Sequence, residues 1–258
     1  LLGAAAASPA RADGGLLEAT RVDHVALTVP EIAKSMSFYR ALFGSDVLKD
    51  SSSERRYLHL GPCYASIAPA TGPDPKIRID HFAVAVKNFD AARIKSSLEK
   101  AGIETSGSNT GLFILDPDGT RIQVSADESW KELRNVAPEP GTGTPMFRSH
   151  FINHLAIRVS NLEKSVEFYG KLFGPAAGAN AARPQVRAGE SGLIIYEPGD
   201  GLTPDIDHFC VLVDTFDPKA ALAKLQALGA DAKLSENGSL PEFYDPDGIR
   251  LQVQVSPG

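Results

Sequence analysis

Apolar and polar residues alternate from Val22 to Val29, and the β-branched side chains there predict a strand. Ile32, Phe38, Leu42 and Phe43 then fall on one broad helical face, with Gly44 placed to end the helix. Short β-rich runs follow, Arg56 to Leu60 and Cys63 to Ile67. Similar signals recur downstream. Ser160-Asn161-Leu162-Glu163 has the spacing of a capping box. Asp217 and Pro218 suit the N-cap and first position of another helix, with Gly229 beyond its end. Asp-Pro-Asp-Gly at 116–119 and at 245–248 lies between β-rich runs and predicts hairpin turns. The repeating unit is therefore β-α-β-β-β. The fold class is α+β, with helices outside curved, antiparallel-rich mixed sheets that each cup a cavity.

The chain repeats itself. Arg21–Val29 resembles Phe151–Val159, Ile79–Val86 resembles Ile206–Val213, and Asp116–Val124 resembles Asp245–Val253. The order is kept and the spacing is nearly constant: His24 and His154 stand 130 residues apart, His81 and His208 stand 127 apart. Ordered blocks at a fixed offset mean duplication. Asp23-His24 and Asp80-His81 open similar strands, so each half is itself a pair of modules. Four modules thus occupy two halves, 21–135 and 151–258. The Pro/Gly/Thr-rich stretch within 136–150 is the expected linker. Residues 1–20 stand apart. Ala10-Arg11-Ala12 after a short apolar run fits the tail of a signal peptide, which implies export; an Ala-rich arm fits equally well.

Composition narrows the function. The chain has 258 residues, 43% of them apolar, enough for a sizeable core. No run nears the ~18 apolar residues of a membrane span. A net charge of −6 and the lack of a Lys/Arg cluster exclude nucleic acid as the main partner. Cys63 and Cys210 form no disulfide framework or metal knuckle. G-x-S-x-G, H-E-x-x-H, G-x-x-x-x-G-K-[ST] and G-x-G-x-x-G are all missing, which removes most nucleophilic and nucleotide chemistry. A small molecule is the expected partner, bound by a monomer whose halves form a pseudo-dimer, or by a homodimer.

Side chains alternate across a strand, so parity sorts the faces. His24, Ala26 and Thr28 share one face, opposite Val25, Leu27 and Val29. His81, His154 and His208 are placed in the same way, and Gln123 and Gln252 lie opposite the apolar residues of the closing strands. Each half therefore offers two histidines and a glutamine on its concave side. Imidazole suits Fe, Mn, Zn or Ni, and two His plus an oxygen donor leave positions open for substrate.

A His-bearing strand, a helix ending FY-x-x-LFG and a closing DPDG strand together resemble the vicinal oxygen chelate superfamily. Its relatives include glyoxalase I, extradiol dioxygenases and bleomycin-resistance proteins. The resemblance covers about residues 21–125 and 151–255. It implies a divalent metal held by His154, His208 and Gln252, or by His24, His81 and Gln123, where the relatives carry Glu in place of Gln. It implies a dioxygenase or a glyoxalase-type lyase or isomerase acting on adjacent oxygens. A metal-free binding or resistance protein of the same fold is the alternative, and the Gln positions favour it. Glu197, near the relatives' fourth-ligand position, tilts the choice toward the second half, and Arg250 shares the face of Gln252 as a candidate for holding an anionic substrate.

Overall fold

The computed structural model describes residues 14–44, 46–141, 143–178, 180–240 and 242–256. The cleavage-like sequence at 10–12 lies outside the described residues. The first half contains β1 (Ala19–Val29), α1 (Ile32–Phe43), β2 (Val47–Asp50), β3 (Arg56–Leu60), β4 (Cys63–Pro69), β5 (Arg78–Val86), α2 (Ala91–Lys100), β6 (Ser106–Ser108), β7 (Gly111–Leu115), β8 (Arg121–Ala126) and β9 (Val136–Glu139). The second contains β10 (Ser149–Arg158), α3 (Leu162–Phe173), β11 (Gln185–Ala188), β12 (Ser191–Tyr196), β13 (Asp205–Val213), α4 (Pro218–Ala227), β14 (Asp231–Ala232), β15 (Phe243–Tyr244) and β16 (Arg250–Val255).

Each half makes one mixed sheet, in the orders β6-β7-β8-β5-β1-β4-β3-β2-β9 and β11-β12-β10-β13-β16-β15-β14. The two His-bearing strands are antiparallel neighbours at the centre, β1 with β5 and β10 with β13. The bulky faces expected from parity are buried: Val25, Leu27 and Val29 are fully covered, as are Leu155, Ile157 and Val159. Among the described residues no helix is long and apolar enough to cross a membrane.

Three local expectations change. The capping box is displaced by one residue: Asn161 caps α3 by accepting from the Lys164 amide, while Ser160 bonds Asp118 of the first half. The expected linker contains β9, which pairs with β2 at the sheet edge; an edge tolerates Pro138, whose missing N–H faces no partner strand. Among the described residues the third module has one strand fewer after its helix. The segment that follows α3 is rich in Ala and Gly and without β-branched side chains, and its described residues keep only the Ala177–Gln185 bridge.

The halves are joined by contacts that repeat across a pseudo-twofold. Tyr39 on α1 donates its hydroxyl to Asp245 (2.8 Å), in the closing turn of the second half. Tyr169 on α3 donates to Asp116 (3.0 Å), in the closing turn of the first. In both turns the other carboxylate oxygen accepts two amides of its own loop, Asp118 and Thr120 or Asp247 and Ile249. The chain entering each half also finishes the other half's helix: Leu16 and Leu17 bond the carbonyls of Lys171 and Leu172, and Met146 and Phe147 those of Ala41 and Leu42. Gly61 and Gly189 both have positive φ and lie against the other half's backbone, where a Cβ would overlap the carbonyls of His150 and Thr20.

Tyr39→Phe should remove a buried hydrogen bond to a carboxylate and cost about 2 kcal/mol. Tyr169→Phe should cost a similar amount. Urea denaturation of both variants measures this, and unaltered midpoints would show that the crossings do not hold the halves together.

Candidate functional site

The site begins with four irregularities in the sheets. The β1–β5 register slips at Asp23, between the Val22–Val84 and His24–Ala83 pairs, and again at Asp80, between Ala26–His81 and Leu27–Ile79. The β10–β13 register slips likewise at Asn153 and at Asp207. An extra residue in one strand breaks the alternation and re-aims side chains. Each Asx side chain thereby reaches the histidine that follows it. Nδ1 of His24 lies 2.8 Å from Asp23, that of His81 2.9 Å from Asp80, and that of His208 2.7 Å from Asp207. His154 is different: its Nδ1 meets the amide oxygen of Asn153 at 3.1 Å. An acceptor at Nδ1 assigns the ring proton there and leaves the Nε2 lone pair for a ligand.

The histidines pair within each half as the sequence predicts. Ring centres of His24 and His81 are 5.6 Å apart at 77°, and His154 and His208 repeat both values. Two imidazoles sharing an ion at ~2.0–2.1 Å place their ring centres about 5 Å apart, so both pairs are close to that spacing. Among the described residues, no three His, Cys, Asp or Glu side chains converge as a metal cluster. The side chains nearest in register to each pair on the closing strands are amides. Gln123 lines the same cavity as His24 and His81, with its amide over Gly111. Gln252 stands on β16 opposite Cys210, two residues beyond His208 on the neighbouring strand.

In the first half the pair opens on a cavity of about 330 Å³, lined also by Arg55, Tyr57, Tyr64, Ser66 and Arg121. Tyr64 stacks on His24, ring centres 4.4 Å apart, and bonds Ser129. Ser129, from a short 3-10 turn, also donates its amide and hydroxyl to Asp23. Arg55 donates to Ser66 (2.7 Å). Burial pushes the phenols of Tyr57 and Tyr64 up, so both stay protonated and act as donors. The second half differs beside its first histidine: Gly192 stands opposite His154 where Tyr64 stands opposite His24, and the Gln185 amide lies over it. Sequence reasoning missed Tyr64, Arg55 and Ser129. The repeat aligns Tyr64 with Gly192, and that contrast was the available signal for Tyr64.

Both expected pocket residues have partners within the protein, and Arg250 lines a small cavity with Arg158 and Asp207. The Glu197 carboxylate accepts from the Leu162 amide (2.8 Å) and closes the start of α3, because the strand ends just before it and its side chain turns to the helix. The tilt toward the second half therefore loses its basis. Arg250 donates to Asp207 (2.6 Å) and pairs with Glu242, so its charge is already met by two carboxylates. Arg121 holds Asp80 in the same way (2.8 Å). His81 and the neighbouring arginines keep Asp80 well below the usual carboxylate range. Cys63 and Cys210 are buried and free, and burial pushes both thiols up to about 12, which makes them inert.

The Glyoxalase/Bleomycin resistance protein/Dioxygenase superfamily model matches residues 21–124 and 151–253. The chain belongs to that superfamily. The first matched span contains His24, His81 and Gln123, and the second His154, His208 and Gln252. None of the curated proteins matches the chain. Solved structures of similar fold include the 2,3-dioxygenase LapB from Pseudomonas sp. KL28 (13% identity, 95% of this chain and 94% of that one, TM-score 0.67). The Mn(II)-bound glyoxalase from Novosphingobium aromaticivorans is another (16%, 93% and 83%, 0.69). A third is a variant of 4-hydroxymandelate synthase from Streptomyces coelicolor (15%, 93% and 93%, 0.67). At such identities the likeness is one of fold.

The electrostatics of the second pair are open to measurement. Burial, and then the neighbouring His208, lower His154 from its ordinary 6.5 to about 4. The folded state thus resists protonation of this ring. Its contribution to stability should be fully present above pH 6.5 and decline as the pH falls from 6.5 toward about 4. NMR titration of the ring protons should show His154 neutral until the pH nears 4; a midpoint at 6.5 would contradict the burial.

Proposed function

We propose that the chain is a metal-dependent enzyme of the vicinal oxygen chelate type, with its centre in the first half. The supporting observation is that both Nδ1 atoms of the His24–His81 pair rest on carboxylates while the two rings share a cavity. A carboxylate behind an imidazole raises its basicity as a ligand, and a neutral amide does so less. Asp23 against Asn153 therefore separates the halves. His24, His81 and the Gln123 amide oxygen fit a divalent ion as three neutral donors with positions left open. Such an ion, Fe, Mn, Zn or Ni, supplies Lewis acidity to two adjacent substrate oxygens.

The protein side chains do the rest. Three neutral donors leave the ion's charge uncompensated, which favours an anionic bidentate substrate such as a catecholate, enediolate or hydroxy-carboxylate. Arg55 lies on the cavity wall and can orient that anion. Tyr57 presents a hydroxyl on the cavity wall, and Tyr64, whose own hydroxyl is spent on Ser129, holds the plane of His24 by stacking. A metal-free small-molecule binding or resistance protein of the same fold is the second reading, and the glutamines at both closing strands favour it.

Titration calorimetry with Mn(II), Fe(II) and Zn(II) tests these readings. His24→Ala should abolish the tighter site. Asp23→Asn should weaken it about tenfold or more, and Asn153→Asp should strengthen the second-half site. Gln123→Glu should tighten metal binding and weaken a bound catechol. Identical metal affinity in wild type and His24→Ala would replace the enzyme reading with the metal-free binder.

A further inference from the structure

A larger cavity, about 660 Å³, lies where the halves meet. One wall comes from the first half, with Ile103 and Thr105 after α2, and Phe113 and Leu115 on β7. The facing wall is α3 of the second half, with Lys164 and Phe168. Arg121 and Phe113 also line the cup that holds His24 and His81, and the Arg121 guanidinium sits 4.9 Å from the Phe113 ring centre. That stacked pair is a partition between the two spaces.

Three features of this cavity lack a partner within the protein. Leu115 is 58% exposed, beside the apolar side chains of Ile103 and Phe168. Thr105 Oγ1 is buried without a hydrogen-bond partner; a buried hydroxyl left unpaired is unfavourable, and a ligand oxygen would satisfy it. Lys164 has no acidic partner among the described residues, whereas Lys171, about two turns further on, is held by Glu167 at 2.7 Å. The only other carboxylate of the lining, Glu104, is exposed, where water and salt screen it.

We propose that the seam between the halves is a second ligand site, for an amphipathic aryl anion: a carboxylate or sulfonate on an aromatic body. The body covers Phe113, Leu115 and Phe168, the anion meets Lys164, and the Thr105 hydroxyl donates to an acceptor on the ligand. The volume suits such a molecule, since small-molecule pockets span roughly 300–1,000 Å³. A simple cation would meet Lys164 with like charge, and a wholly apolar molecule would leave Thr105 unpaired. The site needs residues from both halves, so it exists only when the seam is closed. It requires no metal, so the metal titrations can fail without touching it.

The probe is 8-anilinonaphthalene-1-sulfonate, followed by fluorescence and calorimetry on the full chain, with N-phenyl-1-naphthylamine as the uncharged comparator. One sulfonate should bind per chain. Lys164→Gln should weaken it about tenfold, the scale of one charge-assisted hydrogen bond, and leave the uncharged probe unaffected. Leu115→Asp should weaken both probes; the residue is exposed, so the variant should fold, as circular dichroism would verify. His24→Ala should leave sulfonate binding unchanged. No sulfonate binding, or equal binding in wild type, Lys164→Gln and Leu115→Asp, would overturn the proposal. Loss of binding in His24→Ala would place the probe in the cup and overturn it too.

Discussion

A tyrosine hydroxyl from one half, buried on a carboxylate of the other, occurs twice in this protein, and the arrangement of both halves depends on it. A phenol is buried whole only if its hydroxyl finds an acceptor. Tyr39 and Tyr169 find theirs in Asp245 and Asp116, whose second oxygens are already committed to their own turns. Desolvation raises both carboxyls above the ordinary carboxylate value, and the tyrosine and turn amides oppose that shift. Helix and closing turn are thus held across the seam rather than within one half. The incoming segments at Leu16 and Met146 strengthen the same exchange by taking the last carbonyls of α3 and α1.

That seam has consequences for the sites. Closing turns and His-bearing strands belong to the same sheets, so fixing the turns fixes the registers of β8 and β16 against β5 and β13. Those registers put Gln123 and Gln252 two residues beyond the level of His81 and His208. The bulges act on the other side. Without a slip at Asp23, Asp80, Asn153 and Asp207, alternation would send each Asx to the face opposite its histidine. With it, each imidazole has an acceptor behind Nδ1. Duplication copied this device with one change among its four Asx residues: asparagine replaces aspartate before the first histidine of the second half.

A further divergence surrounds the same histidine. Tyr64 covers His24 with an aromatic face, while Gly192 leaves space over which the Gln185 amide lies. The first cup is therefore aromatic and bordered by Arg55, whereas the second is flanked by amides; both keep an arginine-held aspartate beside the second histidine. Two copies of one fold in one chain can diverge in this way because the seam, and not the cups, carries the shared packing.

By itself the sequence determined the elements and their repetition. Periodicity located β1, α1, β3 and β4, the offset of Asp116 and Asp245 exposed the duplication, and parity placed four histidines on the concave faces. These features are local, or copied at a fixed spacing, so they survive without knowledge of contacts. Tertiary structure alone decided what the polar residues do. Glu197 went to a helix start and Arg250 to a carboxylate because their partners lie 35 and 43 residues away. The two most distinctive motifs, FY-x-x-LFG and DPDG, turned out to meet each other across the seam, at separations of 206 and 53 residues. Strand alternation could not show the bulges, since a slip of one residue is defined by the partner strand. Local pattern fixes which face a side chain can occupy; only the packing of distant segments supplies the atom that it meets.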